Sequence, residues 1–184
     1  MQNAIVKAPS PLEALGHVRA TWEDGVVPKM HDLLKAFRAK GLPVIFVNAR
    51  TPVDTKFPIY GKFWPGVEKS KVNFMGTRDV EVIDEIAPAA GEPMFYNWPF
   101  GIFQGNDLEQ YLVDQGIETV VLVGVAIGMA VDTAAFAMAD RLYNLIVPID
   151  TATDGNKELH DVIFKSMIPA IGLVTTADDV IAHL

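Results

Sequence analysis

Few side chains in this 184-residue chain stand where they could do chemistry. It has no cysteine, which excludes disulfides, thiolate metal ligands and a thiolate nucleophile. Its four histidines, His17, His31, His160 and His183, do not sit at ligand spacing with one another, and His31, on a helix flank, reads as a solvated surface residue. Arg50 follows an apolar run and can meet an anionic ligand or form a surface ion pair. Residues 150–154 read as an exit loop that caps the next helix. Phe95, Trp98, Phe100 and Phe103 can line an aromatic pocket or pack in a core, with Phe103 assigned to the core. There is no Gly-x-Gly-x-x-Gly and no Walker loop, so no cofactor is expected.

The segment that must position any such group is residues 118–140, ETVVLVGVAIGMAVDTAAFAMAD. Residues 119–123 form an apolar, β-branched run, the pattern of a strand covered on both faces. The chain turns through Gly124, Val125, Ala126, Ile127 and Gly128. Val131, Ala135, Met138 and Leu142 then share one helical face. A buried strand feeding a helix through a small-residue turn is where open α/β sheets bind ligands, because unpaired N–H groups meet the strand's carboxyl end.

The same alternation extends along the chain. Strands are expected near 42–48, 93–97, 119–124, 145–149 and 173–175. Helices are expected from Pro28 to Gly41 and over 80–86, 106–115, 159–171 and 177–184. Ala4, Ile5 and Val6 are compatible with a short strand ended by Pro9 and Pro11, and residues 12–22 with a helix or an ordered loop. Strands alternating with helices predict a Rossmann-like, three-layer α-β-α domain with a parallel sheet, one domain over residues 1–184. Residues 51–74 carry Phe57, Ile59, Tyr60, Phe63 and Trp64 without a dominant period, which predicts a lid or an oligomer contact. The formal net charge of −8, without a basic block, argues against nucleic acid or an anionic membrane as partner. No apolar run approaches the ~20 residues of a membrane-spanning helix, and the amino-terminal residues lack a signal-peptide core. A cytoplasmic protein is expected.

From Val26 onward the chain resembles the isochorismatase-like, or cysteine hydrolase, superfamily. VVPKMHDLLKAFRAKGLPVIFVNAR is similar to that family's first helix and second strand, and FYNWPFGIFQGNDLEQYLVDQGIETVVLVG to its middle segment. The resemblance implies that Asn97 stands at the catalytic Lys position and Ala130 at the Cys position. Asn cannot supply a cation or relay a proton as Lys can, and Ala offers only a methyl group. It places the third catalytic residue, an Asp closing the first strand, ahead of Met1. Loss of that strand would leave two ladder edges unpaired. The metal motif of the nicotinamidase branch falls on Asn48-Ala49-Arg50, so no metal is expected. Trp98, following Asn97, is similar to the isochorismatase branch. The resemblance also implies a cis Val125–Ala126 peptide, with the N–H groups of Ala126 and Ala130 converging on an anion-binding hollow.

No catalytic residue is therefore assigned. The expected ligand contacts are Asn97, Trp98, Val125, Ala126, Ala130 and Arg50. The expected function is a small-molecule binder or pseudo-hydrolase, its ligand a carboxylate or amide, in a homo-oligomer. Two alternatives stand beside it. One is an active hydrolase of a vinyl ether or amide that uses an Asp in a strand ahead of Met1. The other is a structural subunit of an oligomer.

Overall fold

The computed structural model describes residues 1–10, 15–50, 77–97 and 100–184. Trp98 and the aromatic segment 51–74 lie outside the described residues. All the strand ladders among the described residues are parallel, and one isolated antiparallel bridge, outside the strands, links Gln2 to Val82. Strand β1 (Phe46–Ala49) pairs with β2 (Met94–Asn97). Strand β5 (Asn144–Pro148) lies between β3 (Thr119–Val121) and β7 (Leu173–Thr175). Beyond β3 the chain bends at Gly124, and β4 (Gly124–Val125) pairs with β6 (Ala152–Thr153).

Helices cover both faces. Helix α3 (Val26–Ala39) turns Val26, Val27, Met30 and Leu33 inward, three to four residues apart, and packs beside α7 (Ala177–Ala182). With Ile83, Ile86 and Val125 its apolar residues make one core. Helix α4 (Leu108–Asp114) contributes Leu108 and Leu112 to the other, and α5 (Asp132–Ala139) contributes Ala134, Ala135 and Met138. The result is the expected α/β three-layer architecture.

Several local expectations are corrected. Residues 4–6 belong to a one-turn helix, α1 (Asn3–Val6), because the Asn3 amide donates to the carbonyls of Arg78 and Glu81 and fixes the chain there. Helix α2 (His17–Glu23) follows it. The helix expected over 80–86 is two 3-10 turns, Arg78–Val80 and Asp84–Ile86, interrupted where Val82 bridges Gln2. The helix expected over 159–171 begins at Lys157 as α6 (Lys157–Val162), widens into a π turn at Ile163–Met167, and ends in a 3-10 turn at Ile168–Ala170, where Pro169 cannot donate to an α-helical ladder.

The runs expected to be buried central strands are less buried than their composition predicts. Ile45, Phe46, Val47 and residues 120–123 are half-exposed. The sheet is divided between β1 and β3, and a cavity of about 800 Å3 separates these strands. Leu42, Pro43, Ile45, Val47 and Ala49 line one wall, and residues 119–125 the other.

Candidate functional site

The upper end of this cavity lies at the carboxyl ends of β1, β2 and β3, where the turn after β3 enters α5. Asn97, Val125, Ala126 and Ala130 all line it, together with Ala49, Phe100 and Met129. The structure thus brings together four of the six residues expected to contact a ligand. Asn97 closes β2, and its carboxamide donates to the Phe100 carbonyl at 3.3 Å. Ala130 is exposed, whereas Val125 and Ala126 are buried. Arg50 does not line the cavity: its guanidinium lies over the Tyr96 ring at 5.8 Å, and its N–H donates to the Asn97 carbonyl.

The Val125–Ala126 peptide is cis. The hollow expected from paired N–H groups takes a different form. The N–H of Ala130 donates to the Ala126 carbonyl at 2.9 Å, and the N–H groups of Met129 and Val131 reach the same oxygen. A π turn, Ile127–Val131, draws three donors onto one carbonyl, so the Ala130 N–H is used within the turn.

Beneath the turn lies a polar network that the spacing of single residues does not reveal. Asp154 is buried. One carboxylate oxygen accepts from the Gly128 N–H at 3.0 Å and the other from the Asn156 N–H at 3.0 Å. His17 is buried 4.0 Å from Asp154, and its Nδ1 accepts from the Gly155 N–H. Burial holds the His17 pKa below its ordinary value, against the opposing pull of the Asp154 charge. Thr153 donates to Asp24, tying β6 to the end of α2. Asp132, at the start of α5, has its pKa raised, chiefly by burial. The loop expected to do no more than cap a helix is instead the anchor of the turn, and the cap itself is Asn156, which accepts from Leu159. The histidine was missed because its partner lies 137 residues away in sequence, although the 150–154 acidic pair was a legible signal. The sequence reading of His31 as a surface side chain agrees with its exposure.

The family model for the isochorismatase domain matches residues 1–179. The chain belongs to the isochorismatase family. Among its relatives, this family member is 26% identical over 171 residues to the uncharacterized isochorismatase family protein YecD of Escherichia coli O157:H7, covering 88% of this chain and 84% of that one. It spans little more than half of the other curated relatives it matches. It is similar in structure to N-carbamoylsarcosine amidase from Thermoplasma acidophilum, with TM-score 0.69 and 28% identity, covering 84% of this chain and 83% of that one. A cysteine hydrolase from Pseudomonas syringae pv. phaseolicola 1448A superposes with TM-score 0.85 over 99% of this chain and 87% of that one; at 20% identity this speaks to the fold alone. In this chain the turn presents a methyl group at position 130, and β2 ends in a carboxamide at position 97.

Proposed function

We propose that this chain is a small-molecule binder, a pseudo-hydrolase on the isochorismatase fold. The observation that carries the reading is that Asn97 and Ala130 both line one largely apolar cavity. Neither side chain can act as a nucleophile or exchange a proton near neutral pH. A carboxylate or amide fits best: Asn97 can offer both a donor and an acceptor, and the likeness to an N-carbamoylsarcosine amidase supports the amide. Val125, Ala126 and Ala130 form the floor in this reading. Arg50 would have to leave the Tyr96 ring to add a contact. Thermal-shift measurements with small aryl and cyclohexadiene carboxylates and amides, run beside hydrolysis assays, test it. A raised melting temperature without turnover is expected, and turnover above the buffer control overturns it. Ala130→Cys alone is expected to leave N-carbamoyl and nicotinamide hydrolysis at background, because a thiol beside Asn97 lacks an activating partner.

One observation favours a second reading, an active hydrolase of a vinyl ether or amide whose acid is an Asp ahead of Met1: the gap between β1 and β3 leaves space for a further segment. Activity that appears only when such an Asp-bearing segment is added would establish it. For either reading we propose a cytoplasmic homo-oligomer. Light scattering is expected to give a mass above the 20.1 kDa of one chain.

A further inference from the structure

We propose that His17 is a ligand-binding residue of the large cavity, one that offers a fixed Nε2–H donor to a neutral carbonyl oxygen and so favours a carboxamide over the matching carboxylate. The inference deepens the small-molecule-binder reading above and rests on it. His17 opens α2 and is only 5% exposed, yet it lines the cavity with Leu15, Asn97, Met129 and Ala130. One edge of its ring is committed. Nδ1 accepts from the Gly155 N–H at 3.1 Å. A backbone N–H can only donate, so Nδ1 holds the lone pair and Nε2 holds the hydrogen. Gly155 is itself packed against the main chain at Leu15 and Gly16, which keeps that donor in place.

The other edge is open. Among the described residues, no group accepts from Nε2. The side-chain polar atoms that are both sealed and unpartnered there belong to Asn3 and Thr21, so Nε2 keeps an opening, and the space that His17 borders is the cavity. A nearly buried donor without an acceptor costs free energy that a ligand oxygen recovers. Charge decides which oxygen fits. Asp154 stands 4.0 Å from Nδ1, with an N–H donating to each of its own oxygens. No lysine or arginine lines the cavity among the described residues. A ligand carboxylate at Nε2 would set a second anion across a neutral ring, with no such cation to offset its lost hydration. An amide oxygen needs only the donor, and the largely apolar walls suit an aryl body. Asp154 also receives the Gly128 N–H, so His17 and the turn that bears Ala130 share one support.

The test titrates the parent chain and His17→Asn with benzamide, benzoate and thiobenzamide, whose sulfur is a weak acceptor. Asn keeps an oxygen for the Gly155 N–H but stops short of the Nε2 position. In the parent, calorimetry is expected to show benzamide binding about three- to tenfold tighter than either of the others. In His17→Asn, benzamide is expected to weaken by about the same factor, and its advantage over thiobenzamide to vanish. Equal benzamide affinity in both proteins, with the oxygen-over-sulfur preference kept, overturns the role of His17 and leaves the binder reading standing. Tighter binding of benzoate overturns the choice of a neutral ligand. Absence of benzamide binding to the parent also overturns the proposal, and the wider thermal-shift series then still decides the binder reading. If His17→Asn does not fold, nitrogen-15 NMR of the parent at about pH 8 supplies the readout. Nδ1 is expected at a pyridine-type shift and Nε2 at a pyrrole-type shift, with the Nε2–H resonance moving downfield as benzamide is added. The opposite tautomer, or an Nε2–H resonance that benzamide does not move, overturns the proposal.

Discussion

At the residue scale the site is defined by what two side chains cannot do and by what two others hold in place. Asn97 and Ala130 leave the head of the cavity without an ionisable group of their own. Asp154 and His17 hold the turn. Asp154→Ala removes the acceptor of the partly buried Gly128 N–H and of the N–H of exposed Asn156, which water can reach; a fully buried donor left unsatisfied would cost about 1–3 kcal/mol. A loss of about 1–2 kcal/mol is expected in urea denaturation, with a smaller loss for Asp154→Asn, which keeps an acceptor. His17 gives a pH dependence of definite sign. Its folded pKa lies below the unfolded value near 6.5, so on acidification the unfolded chain takes up the proton first. Stability is therefore expected to fall as pH drops below about 6.5, down to the folded pKa, and to show no His17 dependence above it. His17→Gln keeps an acceptor for the Gly155 N–H without a titrating ring. Urea midpoints at pH 7 and 5.5 should converge in that variant relative to the parent.

At the element scale the turn, its anchor loop and α2 are packed backbone against backbone. A Cβ added at Gly155 would stand 1.8 Å from the Leu15 carbonyl oxygen, which belongs to the main chain and cannot rotate aside. A Cβ at Gly128 would stand 2.3 Å from Leu159 Cδ2, but Leu159 is partly exposed and its side chain can swing out. Gly155→Ala is expected to destabilise by about 3 kcal/mol or more, and Gly128→Ala by about 1 kcal/mol. Thermal melts of the two variants order them. The reverse order would mean that Leu159 is held more firmly than the main chain at Leu15.

At the scale of the whole molecule the dominant feature is a parallel sheet with a gap in its middle layer. Parallel strands of this composition belong under cover on both faces, yet Ile45, Val47 and Val121 are only half-buried, because they line the cavity between β1 and β3. The enclosed Met1 amine has a consequence for the whole fold. Its pKa falls from 8.0 to about 6, so between these values the unfolded amine holds a proton that the folded one has released. Stability contributed through this group is expected to rise from pH 6 to 8 and be level above. Acetylation of Met1 removes the charge and should flatten the profile between pH 7 and 8, where His17 no longer titrates. Denaturation midpoints of the acetylated and free chains check it.

The strand positions, the helical stripe of α3 and the turn at residues 124–128 were legible in the sequence because each depends on the local period of apolar residues, a property of neighbours in the chain. The resemblance assigned Asn97 and Ala130 to one site, and both line the same cavity. Three things were decided only by tertiary structure. The 80–86 segment has helical composition, but a bridge to Gln2 holds it as two short turns. The Ala130 N–H bends back to Ala126 because the turn closes with a π geometry that no residue type announces. The His17–Asp154 pair joins residues from opposite ends of the chain. Periodicity reports which face of an element is apolar, whereas partners distant in sequence are chosen by the packing of elements against one another.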